Sequence, residues 1–169
     1  TSGDPAIRTR LVQEFARHGV AEPRLWFQPR LPPAEYLHLH HQIDLGLDPF
    51  PYNGGATSCY SLWMGVPFVA LSGDRYMARM GVSLLNNVGL GNLVAGNPDE
   101  YVALACKLAA DPLHLAAIRG SLRERMANSI GDGARFTQNL ESAYREMWQR
   151  WCHKVSSSSG ASFGDQPRS

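Results

Sequence analysis

The sequence predicts an α/β protein: a doubly wound parallel sheet with helices on its faces. Three observations lead there. Helical and extended patterns alternate as α, β, α, β from the start of the chain, and parallel strands need crossovers of that kind. The stretch from Asp44 to Ala70 then reads as a buried strand, a Gly/Pro-rich loop, a helix of about two turns and a second buried strand. The 169 residues, 44% hydrophobic and 18% charged, also suit one domain large enough to bury a core.

Asp4 followed by Pro5 is a helix start, an N-cap with proline at the first helical position, and Ile7, Leu11 and Phe15 recur every four residues until Gly19. The first helix is therefore expected over residues 5–18. RLWFQP, residues 24–29, is a short apolar run closed by Pro29 and is read as a strand. Pro32 and Pro33 open a helix, PAEYLHLHHQ, and DLGLD from Asp44 to Asp48 returns to a strand. Because such a domain normally opens on a strand, a first strand is expected to lie upstream of Thr1.

After the loop, Thr57 to Met64 reads as helix and PFVAL, Pro67 to Leu71, as strand, with proline where it does least harm. Gly73 and Asp74 lead into a helix through Asn86, and Asn92 to Ala95 reads as an edge strand. Asn97-Pro98-Asp99-Glu100 combines an N-cap, a proline at N1 and an acid at N3. Asp111-Pro112 repeats the start signal, with Leu115, Ile118, Leu122 and Met126 as the buried stripe. A last helix from about Gly133 lines up Phe136, Leu140, Ala143, Tyr144, Met147, Trp148 and Trp151, a stripe that calls for a large partner surface. The domain is placed at residues 1–152. The Ser-rich, polar remainder, 153–169, is expected to be a disordered tail.

Composition narrows the function. A formal net charge of +1 offers no general electrostatic case for nucleic acid or an anionic membrane, so any anion site must be local. Three cysteines at wide separations, with no CxxC pair, indicate neither a disulfide framework nor a zinc ribbon. No segment reaches the ~18 continuous apolar residues of a membrane helix, and the opening residues lack the pattern of a signal peptide. The expectation is a cytoplasmic protein.

The local anion site is the loop Asn53-Gly54-Gly55-Ala56-Thr57-Ser58. Two glycines let backbone approach a ligand, and the small and hydroxyl residues after them leave the first amides of a helix pointing outward. Those amides and the helix dipole favour an anion by about 0.3 to 2 kcal/mol per unit charge. A diphosphate fits such a cradle. The alternative is a Gly-rich turn with Thr57 capping the helix and no ligand. The loop is neither a Walker loop, since no lysine follows the glycines, nor GxGxxG.

PFPYNGGATSCYSLWMGVP, continued by SGDRYMARMGVSLLNNVGLGNLV, resembles the carboxyl-terminal catalytic lobe of the O-GlcNAc transferase and SPINDLY-like family of bacterial type, and similarity extends from about Asp4 to Trp151. The resemblance implies a GT-B glycosyltransferase: two Rossmann-like lobes with a nucleotide-sugar in the cleft, its nucleotide held by the carboxyl-terminal lobe. It implies inverting transfer of a sugar, commonly from UDP-GlcNAc and in some members from GDP-fucose, to Ser or Thr hydroxyls of proteins, with no metal or cofactor required. It places the amides of Gly55, Ala56 and Thr57 on the diphosphate, with Gly54 and Ser58 in the same loop. It puts Tyr36 where a ring stacks on the base, and the Leu31 backbone where the base edge is read. Taken without the resemblance, Tyr36 reads as an ordinary core aromatic of a helix face.

Two departures from the family pattern bear on binding. Ala56 replaces a usual Thr, and Tyr60 stands where an Asp or Glu ordinarily bonds the ribose hydroxyls; a phenol does not match the two acceptors of a carboxylate. Arg79 matches an Arg of the family motif and is a weak candidate for charge balance near the cleft, against an ordinary solvated helix face. His38, His40 and His41 are read as a partly exposed helix, and Cys59 as small-residue packing, although a thiol just inside a helix start also allows a lowered pKa. Asp48 is read as bonding the loop backbone before Pro49, since the family places its base in the other lobe.

The expectation is thus a carboxyl-terminal lobe whose catalytic residues, acceptor-binding helical repeats and amino-terminal lobe lie elsewhere, the last of these packing on the final helix. A chain of this extent is expected not to turn over by itself. The competing expectation is a non-catalytic module that binds a nucleotide or docks a partner through Trp148 and Trp151.

Overall fold

A computed structural model describes residues 4–159. Its first helix, α1 (Pro5–Arg17), starts as the sequence indicates: the Asp4 carboxylate accepts the Ala6 amide at 2.9 Å. A 3-10 turn, Glu22–Arg24, follows. Residues 24–29 are not a strand, which corrects the reading above. Leu25 has extended dihedrals, but an apolar run becomes a strand only beside a backbone ladder, and no described strand lies against it; Trp26 is 64% exposed.

Helix α2 (Pro33–Leu39) runs into a 3-10 turn, His40–Gln42, and leads to β1 (Gly46–Leu47). Then come α3 (Ala56–Trp63), β2 (Phe68–Leu71), a 3-10 turn at Tyr76–Ala78, α4 (Met80–Asn87) and β3 (Val94–Ala95). The helix expected from Gly73 therefore begins only at Met80, because Asn53 binds the backbone on both sides of this start, taking the Met77 carbonyl at 3.0 Å and the Gly81 amide at 3.4 Å.

The three strands form a parallel sheet in the order β1-β2-β3, with Gly46 opposite Phe68 and Ala70 opposite Val94. With right-handed crossovers, this sequential order sets α3 and α4 on one face. β2 is covered on both sides: Phe68 and Ala70 point into the main core, and Val69, on the opposite face, is fully buried too. Gly46 is dictated by this packing, since a Cβ there would sit 2.9 Å from that of Phe68.

Helices α5 (Pro98–Ala109) and α6 (Pro112–Ala127) complete the core. Both use their predicted caps, Asn97 accepting the Glu100 amide and Asp111 the His114 amide, each at 2.9 Å. The predicted stripe of α6, Leu115, Ile118, Leu122 and Met126, is buried against Leu62, Leu84, Leu85 and Leu108.

Helix α7 (Gly133–Ser159) begins under Asp132, which accepts the Arg135 amide at 2.9 Å. It runs past the expected domain end at 152, so 153–159 are helical here, whereas 160–169 lie outside the described residues. Its aromatic stripe is bare: Phe136, Tyr144, Met147, Trp148 and Trp151 are all exposed, and the rings of Trp148 and Trp151 stack at 5.1 Å. Among the described residues no single helix is long and apolar enough to cross a membrane.

Candidate functional site

The site is built on Asp48, at the carboxyl end of β1. Its Oδ1 accepts the Gly54 amide at 2.8 Å and the Ser58 hydroxyl at 3.4 Å, closing the loop back onto its own start. Asp48 is buried, and its Oδ2 has no hydrogen-bond partner, so burial pushes this carboxyl above the usual carboxylate range while the bonds from Gly54 and Ser58 pull the other way. The expected bond from Asp48 to the loop backbone is present. From α5 the Tyr101 hydroxyl donates to the Asp48 carbonyl at 3.0 Å, and its ring meets Phe50 edge-on.

A second tie comes from Asn53, buried to 2% exposure. Its Nδ2 donates to the Pro49 carbonyl at 3.1 Å, its amide to Met77, and its Oδ1 accepts from Gly81. The loop is thus held from β1, α4 and α5 together. Gly54 and Gly81 are required by close approach: a Cβ on Gly54 would collide with Ser58 Oγ, and one on Gly81 would lie 2.6 Å from Asp48 Oδ2.

What remains outward is the start of α3. Gly55 is its N-cap and no side chain caps it; a Cβ at Gly55 would meet nothing within 4 Å. Ala56 and Thr57 are exposed there, with first-turn amides that have no partner inside the helix. Gly54 and Ser58 play a different part from Gly55, Ala56 and Thr57, because the Gly54 amide and the Ser58 hydroxyl are already committed to Asp48. A small cavity of about 130 Å³ runs alongside, lined by Asp48, Pro49, Thr57, Ser58 and Ser61 among others.

The structure brings Tyr36 and Tyr60 together, their rings 6.0 Å apart and edge-on. Tyr36 is half-buried, and burial, with Tyr60 beside it, pushes its phenol above the ordinary value. Tyr60 is exposed. Leu31 lines a groove with Trp26, Gln28, Glu35 and His38. Arg79 is exposed at the start of α4 and donates to the Gly73 carbonyl at 3.4 Å, an anchor for the turn after β2.

The histidines and Cys59 fall where the sequence reading puts them, a partly exposed helix and a packed thiol, with detail added by the structure. Of the three, His40 is 2% exposed: it lies one helical turn after half-buried Tyr36 and faces the same way, its ring 4.9 Å from that of Tyr36. His38 and His41, both exposed, pair with each other, their rings 5.2 Å apart. The Cys59 thiol is pushed up by burial rather than lowered by the helix start, since it packs against the core. The sequence reading names Asn53 only as the first residue of the loop and gives Tyr101 and Gly81 no part in the site. Asn immediately before two glycines is a signal for the first; the other two act across long sequence separations that no local pattern reports.

A family model bears on this arrangement. Glycosyl transferase family 41 matches residues 2–140. The chain belongs to glycosyl transferase family 41. Among its family 41 relatives, a barley protein named probable UDP-N-acetylglucosamine–peptide N-acetylglucosaminyltransferase SPINDLY is 51% identical over 155 residues, covering 87% of this chain and 16% of that protein. The petunia protein of the same name is 46% identical over 152 residues, covering 89% and 16%. A solved structure, a mutant of the Thermobaculum terrenum O-GlcNAc transferase, superposes with a TM-score of 0.82 at 38% identity over 91% of this chain and 30% of that one. The fold is accordingly the Rossmann-like carboxyl-terminal lobe of a GT-B glycosyltransferase, and the chain spans 16% of the length of these curated relatives.

Proposed function

We propose that this chain is the donor-binding lobe of a protein O-linked N-acetylglucosaminyltransferase-like enzyme, and that it holds a nucleotide-sugar of the UDP-GlcNAc type. One observation carries the reading: the N-terminus of α3 is uncapped and open, on a loop otherwise tied down from three sides. Buried polar groups spent on fixing a loop, with the adjoining amides left outward, suit an anion that arrives from solution.

In this reading the amides of Ala56 and Thr57, with Gly55 giving room, take the diphosphate, and Tyr36 carries the base with the Leu31 backbone at its edge. Tyr60, touching Tyr36, lies toward the ribose. In the transfer, an acceptor Ser or Thr oxygen forms a bond to the anomeric carbon as that carbon's bond to the diphosphate breaks. Configuration inverts, the hydroxyl proton leaves to a base, and the charge that grows on the nucleoside diphosphate falls on the first turn of α3. No metal or cofactor is needed for that role, and the base and acceptor contacts belong to the rest of the enzyme. The chain by itself is then a binder without turnover, working in the cytoplasm with a nucleotide-sugar and a protein acceptor, its α7 stripe packed on an amino-terminal lobe.

A second reading, a non-catalytic module that docks a protein partner, is favoured by one observation, the bare Trp148–Trp151 stack. Calorimetric titration with UDP and GDP tests the first reading. Binding of either, weakened by Thr57→Ala combined with Gly55→Val, is the expected result. No binding up to millimolar nucleotide overturns it.

A further inference from the structure

We infer that His40 is a positioning residue that fixes the spacing between Tyr36 and the first turn of α3, so that a single nucleotide reaches both; this rests on the nucleotide-binding reading above. The observation is a bridge between two elements. His40 Nδ1 lies 2.9 Å from the Tyr36 carbonyl, its Nε2 lies 3.4 Å from Ser61 Oγ on α3, and Ser61 Oγ lies 3.1 Å from the Thr57 carbonyl. The ring also stands edge-on to Tyr36 at 4.9 Å. A carbonyl only accepts, so Nδ1 donates to Tyr36; Nε2 of the neutral ring then accepts from the Ser61 hydroxyl, whose single hydrogen is shared between Nε2 and the Thr57 carbonyl.

Helix α2 has only seven residues, lacks a side-chain N-cap and buries none of them. Such a helix does not hold its own place. His40, buried just beyond its end, connects it to α3: the link runs from Tyr36, the residue assigned to the base, to Ser61, one turn after Thr57, the residue assigned to the diphosphate. Two weak anchors on one ligand reinforce each other only when their separation is fixed.

The test uses the 169-residue chain and three probes, UDP, uridine and inorganic pyrophosphate, titrated calorimetrically alongside thermal melts. Ser61→Ala removes the far end of the bridge without touching Tyr36 or the core. It is expected to weaken UDP by about 3- to 10-fold, the range of one lost hydrogen bond, with Tm and the affinities for uridine and pyrophosphate unchanged. His40→Phe weakens UDP at least as much, and the double variant is no worse than His40→Phe alone. Parental UDP affinity in Ser61→Ala, or loss of all three ligands in step with Tm, overturns the inference and leaves the nucleotide reading standing. A parent chain that binds no UDP overturns both.

Discussion

The Asp48 carboxylate and the Gly54 amide meet at 2.8 Å across six residues, and the second oxygen of that carboxylate is buried without a partner. The bond aims Gly54 inward, which leaves the next amides, at the start of α3, facing out. A charged group buried beside the proposed anion site is costly, and the fold carries that cost in order to fix one loop conformation.

The pH dependence follows from the sign of the Asp48 shift. Its pKa lies above the ordinary 3.8, chiefly through burial, so the folded chain holds this proton more tightly than the unfolded chain. Stability therefore falls as pH rises from the unfolded to the folded pKa. Asp48→Asn removes the titration and keeps an acceptor for Gly54. Melts between about pH 4 and 7 should show the parent losing Tm relative to Asp48→Asn as pH rises. A constant difference would mean that Asp48 titrates normally.

The two loop glycines should respond differently. At Gly54 a Cβ collides with Ser58 and lies 3.1 Å from Asp48 Oδ1, whereas at Gly55 it meets open space. Gly54→Ala is expected to cost about 1 to 3 kcal/mol by breaking the Asp48 contacts. Gly55→Ala should fold with near-parental stability. Chemical denaturation of both variants decides it; equal losses would contradict the geometry.

Core and stripe make a second contrast. Leu122 is fully buried and Trp148 is 63% exposed. Leu122→Ala should cost about 2 to 5 kcal/mol, as large cavities in cores do, and Trp148→Ala less than about 0.5 kcal/mol. A large loss at Trp148 in the isolated chain would show that the stripe is covered within it.

On the nucleotide reading, Tyr60→Asp should tighten UDP. The side chain is exposed and touches Tyr36, so an acid there is solvated and reaches toward the ribose. A carboxylate bonding two hydroxyls is worth about a tenfold gain in affinity over a phenol. Calorimetry measures it; an unchanged or weaker constant would place the ribose away from Tyr60.

Much of the fold is legible in local chemistry. Asp4, Asn97 and Asp111 each cap the helix their sequence announces, and the four-residue stripe of α6 is buried residue for residue. The loop, too, stands out, since Gly54-Gly55 before small polar residues shapes only its own backbone. RLWFQP misled because extended propensity is local while pairing is not, and no described strand flanks it. The burial of His40 is not singled out by the sequence because its partner Ser61 lies 21 residues away on another helix.

From the sequence alone, then, came the α/β class, the capped starts of α1, α5 and α6, the family resemblance and the glycine loop: features set by contacts a few residues long, or by similarity over the whole chain. Tertiary structure alone decided which polar groups of that loop are occupied. Asp48 takes Gly54 and Ser58, Tyr101 reaches back 53 residues to the Asp48 carbonyl, and Gly81 approaches where no side chain fits. Those choices are made by close packing between distant segments, which excludes all but a few donors from solvent and leaves only the first turn of α3 open.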